Sequence, residues 1–204
     1  MLLAAVVQAG TLDEMSLDRW AKLREAERYQ LNIAEKYYRE SNWKVAQSEY
    51  EKFLTLYETS EGAPYAQLKW SICVAQQRKV NTAIKDGYQS VIDYWPDSPE
   101  AVASSYFIAS GYKAMGETKS AKKAYAAVLS NHGDHLVGTL ARVDLLDIAR
   151  VENDVPRRVA LWRELTYDTE RKGEKARHCA EASRDLAVHY FYNGSFSEGQ
   201  KSLA

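Results

Sequence analysis

Apolar side chains recur at helical spacing along most of the chain. Ala46, Tyr50 and Phe53 stand at i, i+4 and i+7. Ile84, Tyr88 and Val91 repeat that spacing, and so do Ala121, Tyr125 and Val128. Positions so spaced share one stripe of an α-helix. The anchors 46, 84 and 121 are 38 and 37 residues apart, and the next steps fall at Ala160 and Gly199. The register of the second stripe is ambiguous by one residue between Ala83 and Ile84.

A second helical pattern precedes the stripes. It sets a large residue beside a small one, with another large residue a turn later. Ile33-Ala34-x-x-Tyr37, Trp70-Ser71-x-x-Val74, Ile108-Ala109-x-x-Tyr112 and Leu186-Ala187-x-x-Tyr190 all follow it. The small residue lets a neighbouring helix approach closely. Glu40-Ser41-Asn42, Gly116-Glu117-Thr118 and Asn193-Gly194-Ser195 lie between the paired patterns. These are residues that stop one helix and cap the next. The fourth unit is blurred: segments 139–151 and 156–167 both read as helix, with Pro156 suited to a first turn.

The expected fold is therefore all-α, with about five helix pairs. A pair of this length cannot bury its own apolar face, so neighbours stack into a solenoid. Met15 to Arg39 reads as one long helix, or as two with a break near Glu27–Gln30. Thr11-x-x-Glu14 has the form of a capping box before it. Residues 11–27 would form an N-terminal capping helix, with Trp20, Leu23 and Leu31 covering the edge of the first repeat. The 14 Tyr and 5 Trp find a place in this scheme. Tyr37, Trp43, Tyr50, Tyr88, Tyr112, Tyr125, Tyr190 and Phe196 fall at interhelical positions, where aromatic packing is expected.

The pattern over residues 28–204 resembles the tetratricopeptide repeat. Leu186-Ala187-x-x-Tyr190-x-x-x-Gly194-x-Phe196-x-x-Gly199 carries the resemblance best. Tyr94-Trp95-Pro96-Asp97-Ser98-Pro99-Glu100-Ala101 is similar to a helix end of bacterial cell-envelope repeat proteins. Among these are Tol-associated cell-division coordinators and outer-membrane assembly lipoproteins of that fold. The first unit departs from the pattern, with Glu58 where Pro is expected. The resemblance implies a right-handed superhelical solenoid that holds a peptide or protein partner in its concave groove. It implies a non-catalytic scaffold or adaptor of the cell envelope. Groove-facing positions would be Arg28, Leu31, Glu35, Tyr38 and Arg39 in unit one and Lys69, Gln76 and Gln77 in unit two. Tyr106, Ser110 and Lys113 would follow in unit three, and Arg184 and Tyr192 in unit five. Tyr and Arg are frequent binding hot spots.

The sequence ends inside the second helix of the fifth unit, where a solenoid would carry a polar capping helix. The expectation is an incomplete last repeat, or the first part of a longer array. An alternative reading makes the chain the helical, substrate-positioning portion of a larger cell-envelope enzyme.

Charge narrows the partner class. The 27 Lys and Arg against 28 Asp and Glu give a net charge of -1, which disfavours nucleic acid and anionic membrane. A hydrophobic content of 46% excludes a disordered chain, and only 10 Gly and 4 Pro exclude loop-rich classes. The apolar run Leu2 to Val7, followed by Gln8-Ala9-Gly10, reads as the end of a signal segment. That places the protein in the periplasm, with the cytoplasm as the alternative. The run is far short of the about 20 residues that a membrane span needs.

Little in the sequence points to chemistry. Asn131-His132-Gly133-Asp134-His135 groups two imidazoles and a carboxylate, but at a repeat junction where polar turn residues belong. His178 and Cys179 are neighbours, yet adjacent residues on a helix point about 100° apart. Cys73 and Cys179 fall in units two and five, about 30 Å apart at ordinary helix packing distances, so no disulfide is expected. No phosphate loop, HExxH or nucleophile elbow occurs. The expectation is a binding protein with no catalytic residues, cofactor or metal.

Overall fold

The computed structural model describes residues 12–203. Every regular element among them is helical. The chain divides into two compact units, residues 1–116 and 117–204. The first contains α1 (Leu17–Lys22), α2 (Glu25–Arg39), α3 (Trp43–Leu56), α4 (Ala63–Gln76), α5 (residues 80–94) and α6 (Pro99–Ala114). The second contains α7 (Thr118–His132), α8 (Leu136–Val151), α9 (residues 155–168), α10 (Lys175–Tyr192) and α11 (Phe196–Leu203). From α2 to α6, each helix packs on the next, and α4 also reaches α6. In the second unit the same holds from α7 to α11, and α8 also reaches α10.

First and second helices alternate along the chain at intervals of similar length. The first members, α2, α4, α6, α8 and α10, begin at residues 25, 63, 99, 136 and 175, at intervals of 38, 36, 37 and 39. One residue in the left-handed region follows each of these helices: Ser41, Arg78, Gly116, Asn153 and Gly194, with φ between 56° and 76°. The backbone bonds explain the regularity. Asn42 N–H donates to Tyr37 C=O, Lys79 to Val74, Asp154 to Ala149 and Ser195 to Tyr190, each five residues back. These bonds close a Schellman motif and satisfy carbonyls that the helix end leaves open. Two of the five turns carry no Gly or Ser: Arg78 and Asn153 occupy positions that glycine fills most cheaply.

The apolar stripes form the core. Ala46, Tyr50 and Phe53 are wholly buried, as are Ala121 and Tyr125, with Val128 nearly so. In α5 both Ala83 and Ile84 are buried. The helix makes a π turn over Ala83–Tyr88, which admits an extra residue and resolves the register ambiguity. Gly87 lies in that turn against Ser71 of α4: a Cβ there would stand 2.4 Å from Ser71 Oγ. Ser71 is the small residue of the second helix pattern, and α5 does approach α4 closely at it. In α9 a second π turn, Glu164–Asp168, accompanies the blurred fourth unit. There Leu161, Trp162 and Leu165 are buried, whereas Ala160 is only half-buried. Phe196 of α11 lies with its ring 6.1 Å from that of Phe191 on α10, but it is largely exposed.

The segment ahead of the first pair forms two helices rather than one. The break falls at Leu23 and Arg24, both extended, before the expected site near Glu27–Gln30. Glu27 explains the restart: its carboxylate accepts Arg24 N–H at 2.7 Å. Ser16 caps α1 by accepting Arg19 N–H, while Thr11 of the expected capping box lies outside the described residues. The signal-like run of residues 2–7 also lies outside them. Among the described residues, no helix is long and apolar enough to cross a membrane.

Candidate partner-binding face and its buried polar cluster

The most unusual chemistry of the first unit is a charged cluster inside it. On α4, Tyr65, Lys69 and Cys73 recur every four residues and so share one stripe. On α2, Leu31, Glu35 and Tyr38 share another, and Tyr50 comes from α3. Glu35 Oε1 accepts from Tyr50 OH at 2.5 Å and from Tyr65 OH at 2.7 Å. Lys69 Nζ lies 3.7 Å from the same oxygen. Asp13, which precedes α1, completes the group: its Oδ2 accepts from Lys69 Nζ at 3.0 Å and from Tyr38 OH at 2.8 Å. The ammonium also sits 3.7 Å from the centre of the Tyr38 ring. Such a cation–π contact gains strength when water is excluded.

Burial sets the protonation of the phenols. It raises the pKa of Tyr38, Tyr50 and Tyr65 far above the ordinary phenol value, and the carboxylates of Asp13 and Glu35 push the same way. All three therefore stay neutral and act as donors. Burial pushes the Cys73 thiol up to about 12, against the opposing pull of Lys69. Each charged or polar member thus has a partner, the condition for burying charge at tolerable cost.

A second contact ties the N-terminal segment to α6. Arg19 grips Glu100 with both prongs, Nη1 to Oε1 at 2.6 Å and Nη2 to Oε2 at 3.2 Å. Glu100 is buried in the first turn of α6. Nη2 of Arg19 also reaches the Glu61 carbonyl at 3.3 Å.

Four of the expected groove residues are not open to solvent. Leu31, Glu35, Lys69 and Tyr106 are buried. Leu31 belongs to the apolar core, Glu35 and Lys69 to the charged cluster, and the Tyr106 ring packs 5.8 Å from that of Phe107. Tyr38 is half-buried under Asp13. Arg28 is half-buried too and donates to the Ala21 carbonyl at 3.2 Å, so it holds the N-terminal segment. Gln77 bonds Gln47 Oε1 at 2.7 Å. Arg39 and Gln76, at the ends of α2 and α4, are exposed, and Ser110 and Lys113 of α6 are half-buried. In the second unit Arg184 is exposed, with Asp185 at 3.7 Å, and Tyr192 is 89% exposed.

Asp13 and Tyr65 escaped the sequence reading. The four-residue recurrence of Tyr65, Lys69 and Cys73 was a signal for one of them. Asp13 offered none, because its contacts span 25 and 56 residues.

The motifs with a chemical flavour take structural places. His135 caps α8, its Nδ1 accepting Val137 N–H at 3.4 Å, and burial lowers its pKa. The Asp134 carbonyl accepts Lys175 Nζ at 3.0 Å. Among the described residues, no group of three or more His, Cys, Asp or Glu is arranged to hold a metal. Cys73 and Cys179 are both buried free thiols, and burial raises that of Cys179 while His178 stays half-buried.

The cluster has one distinctive capacity: α2 and α4 together hold a carboxylate that a separate segment presents. Comparison with known proteins adds no family to this picture, since neither a family model nor a curated protein matches the chain.

Proposed function

We propose that the chain is a non-catalytic adaptor built of tetratricopeptide-like solenoid repeats. It holds a peptide or protein segment on the face to which α2, α4 and α6 contribute, and it works in the cell envelope. The observation that carries the reading is the recurrence of helix starts at intervals of 36–39 residues, with a left-handed residue after each of these helices. Arrays of such pairs present extended surfaces that take up partner segments. The way residues 12–22 lie against this face supports it, because there a segment is held by side chains of three different helices.

The test is affinity capture from envelope and cytoplasmic fractions of the source cells. The variant Arg39→Glu/Gln76→Glu changes two exposed positions at the ends of α2 and α4, and Lys52→Glu changes an exposed position on α3. Both should unfold near the wild-type temperature, as exposed substitutions do. A partner kept by wild type and Lys52→Glu but lost by the double variant supports the reading. A partner kept equally by all three, or none, rejects it. Tyr106→Ala is unsuited to this test, since it would open a cavity beside Phe107 and report on folding.

A further inference from the structure

The segment ahead of α2 lies on the face assigned above to the partner, held by a small number of discrete contacts. α1 has no buried residue, and Leu17 is 86% exposed. Its polar ties to the first pairs are Asp13 on Lys69 and Tyr38, Arg19 on Glu100 and the Glu61 carbonyl, and the Ala21 carbonyl on Arg28. Leu12, Met15 and Trp20 pack, partly buried, against the two apolar clusters of the first unit. Leu23 is buried and next to the extended Arg24, so it is a fixed point about which the rest can lift.

The charge balance favours exchange over a permanent lock. With Asp13 seated, the cluster holds two carboxylates, Asp13 and Glu35, against the single ammonium of Lys69. With Asp13 lifted, Glu35 and Lys69 balance one to one, and Glu35 keeps both tyrosine donors. Seating Asp13 buries a second carboxylate beside the same ammonium, a solvation cost that its contacts to Lys69 and Tyr38 have to offset. Any other acidic side chain brought to Lys69 and Tyr38 makes the same contacts.

We propose that residues 12–22 are a displaceable strap, an internal occupant of the partner-binding face. The partner segment that replaces it carries an Asp or Glu beside apolar side chains, as Leu12 and Met15 flank Asp13. Its carboxylate takes the place of Asp13 on Lys69 and Tyr38. This inference rests on the adaptor reading for its partner, but not for the existence of the strap. A tethered strap competes at an effective concentration in the millimolar range for a short link. It therefore lowers the apparent affinity of any competitor by the fraction of chains in which the face is open.

The test uses the full chain and a fluorescein-labelled synthetic peptide of residues 10–24, read by fluorescence anisotropy. In Asp13→Asn/Arg19→Gln the strap is released. That chain should bind the peptide about tenfold or more tightly than wild type does. A peptide carrying Asp13→Asn should lose about tenfold of that affinity, with no change to the protein. The second variant, Leu12→Ser/Asp13→Asn, frees only the Asp13 end and leaves Arg19 on Glu100, so it should gain part of the first variant's affinity without exposing an unpaired Glu100. Equal binding by wild type and both released variants overturns the proposal, and so does absence of binding to released chains that circular dichroism shows to be folded. Because the probe is the chain's own segment, these outcomes are independent of the capture experiment. A failed capture removes the adaptor reading and leaves the strap intact.

Discussion

Lys69 Nζ and Asp13 Oδ2 lie 3.0 Å apart, although 56 positions separate them in the chain. The pair joins the segment before α1 to the middle of α4, and Glu35 shares the same ammonium at 3.7 Å. One cation thus serves two buried carboxylates.

Removing that cation should be costly. Lys69→Met strands Asp13 and Glu35 together, and breaking a buried pair costs about 3–5 kcal/mol. Lys69→Met/Glu35→Gln should be less destabilised than the single variant, because glutamine is uncharged and still accepts from Tyr50 and Tyr65. Urea unfolding of both chains decides the matter, and a double variant less stable than the single one would contradict the charge account.

The left-handed turns lead to a prediction of the opposite sign. A non-glycine residue at such a φ pays about 1–2 kcal/mol, and Asn pays less than most because it visits that region readily. Arg78→Gly should therefore stabilise the chain by about 1 kcal/mol, and Asn153→Gly by a smaller amount. The check is thermal unfolding, where an unchanged or lower midpoint for Arg78→Gly would show that the turn is not strained.

The crossing of α4 and α5 tests packing against propensity. Helix propensity favours alanine over glycine by about 1 kcal/mol. Yet an added Cβ at Gly87 meets Ser71 Oγ at 2.4 Å and Ser71 Cα at 3.2 Å. Overpacking of this kind costs about 1–3 kcal/mol. Gly87→Ala should thus be destabilising, and Ser71→Gly added to it should recover part of the loss. A Gly87→Ala chain more stable than wild type would mean that the helices separate easily.

Alkaline pH should unfold the protein. Burial raises the pKa values of Tyr38, Tyr50, Tyr65 and Tyr88 above the ordinary phenol value near 10. Above that pH the unfolded chain releases protons that the native state retains. The stability these groups contribute is full below about pH 10 and declines as the pH rises past it. Ultraviolet titration should show these four ionising only together with loss of the circular dichroism signal. Ionisation of all of them with the helices intact would contradict their burial.

The helical period made much of the fold legible. Stripes such as Ala46, Tyr50 and Phe53 obey a local rule, and the core follows from it. Ser41, Gly116 and Gly194 mark turns by their chemistry, whereas Arg78 gives no such signal and holds its turn through the Schellman bonds alone. The one-residue ambiguity at Ala83 and Ile84 had a physical source, the π turn that breaks the 3.6-residue period. The face itself was only half legible. The likeness to the repeat family put Glu35, Tyr38 and Lys69 forward, but what covers Tyr38 and Lys69 comes from Asp13, through contacts no local pattern encodes.

The most direct measurement of the central claim is site-specific photocrosslinking in the source cells. A photoreactive residue is placed at Arg39, at Gln76 or, as the control on α3, at Lys52. The account predicts one discrete protein adduct from positions 39 and 76 and none from 52, stronger when Asp13→Asn also frees the strap. Adducts of equal strength from all three positions, or from position 52 alone, would contradict it.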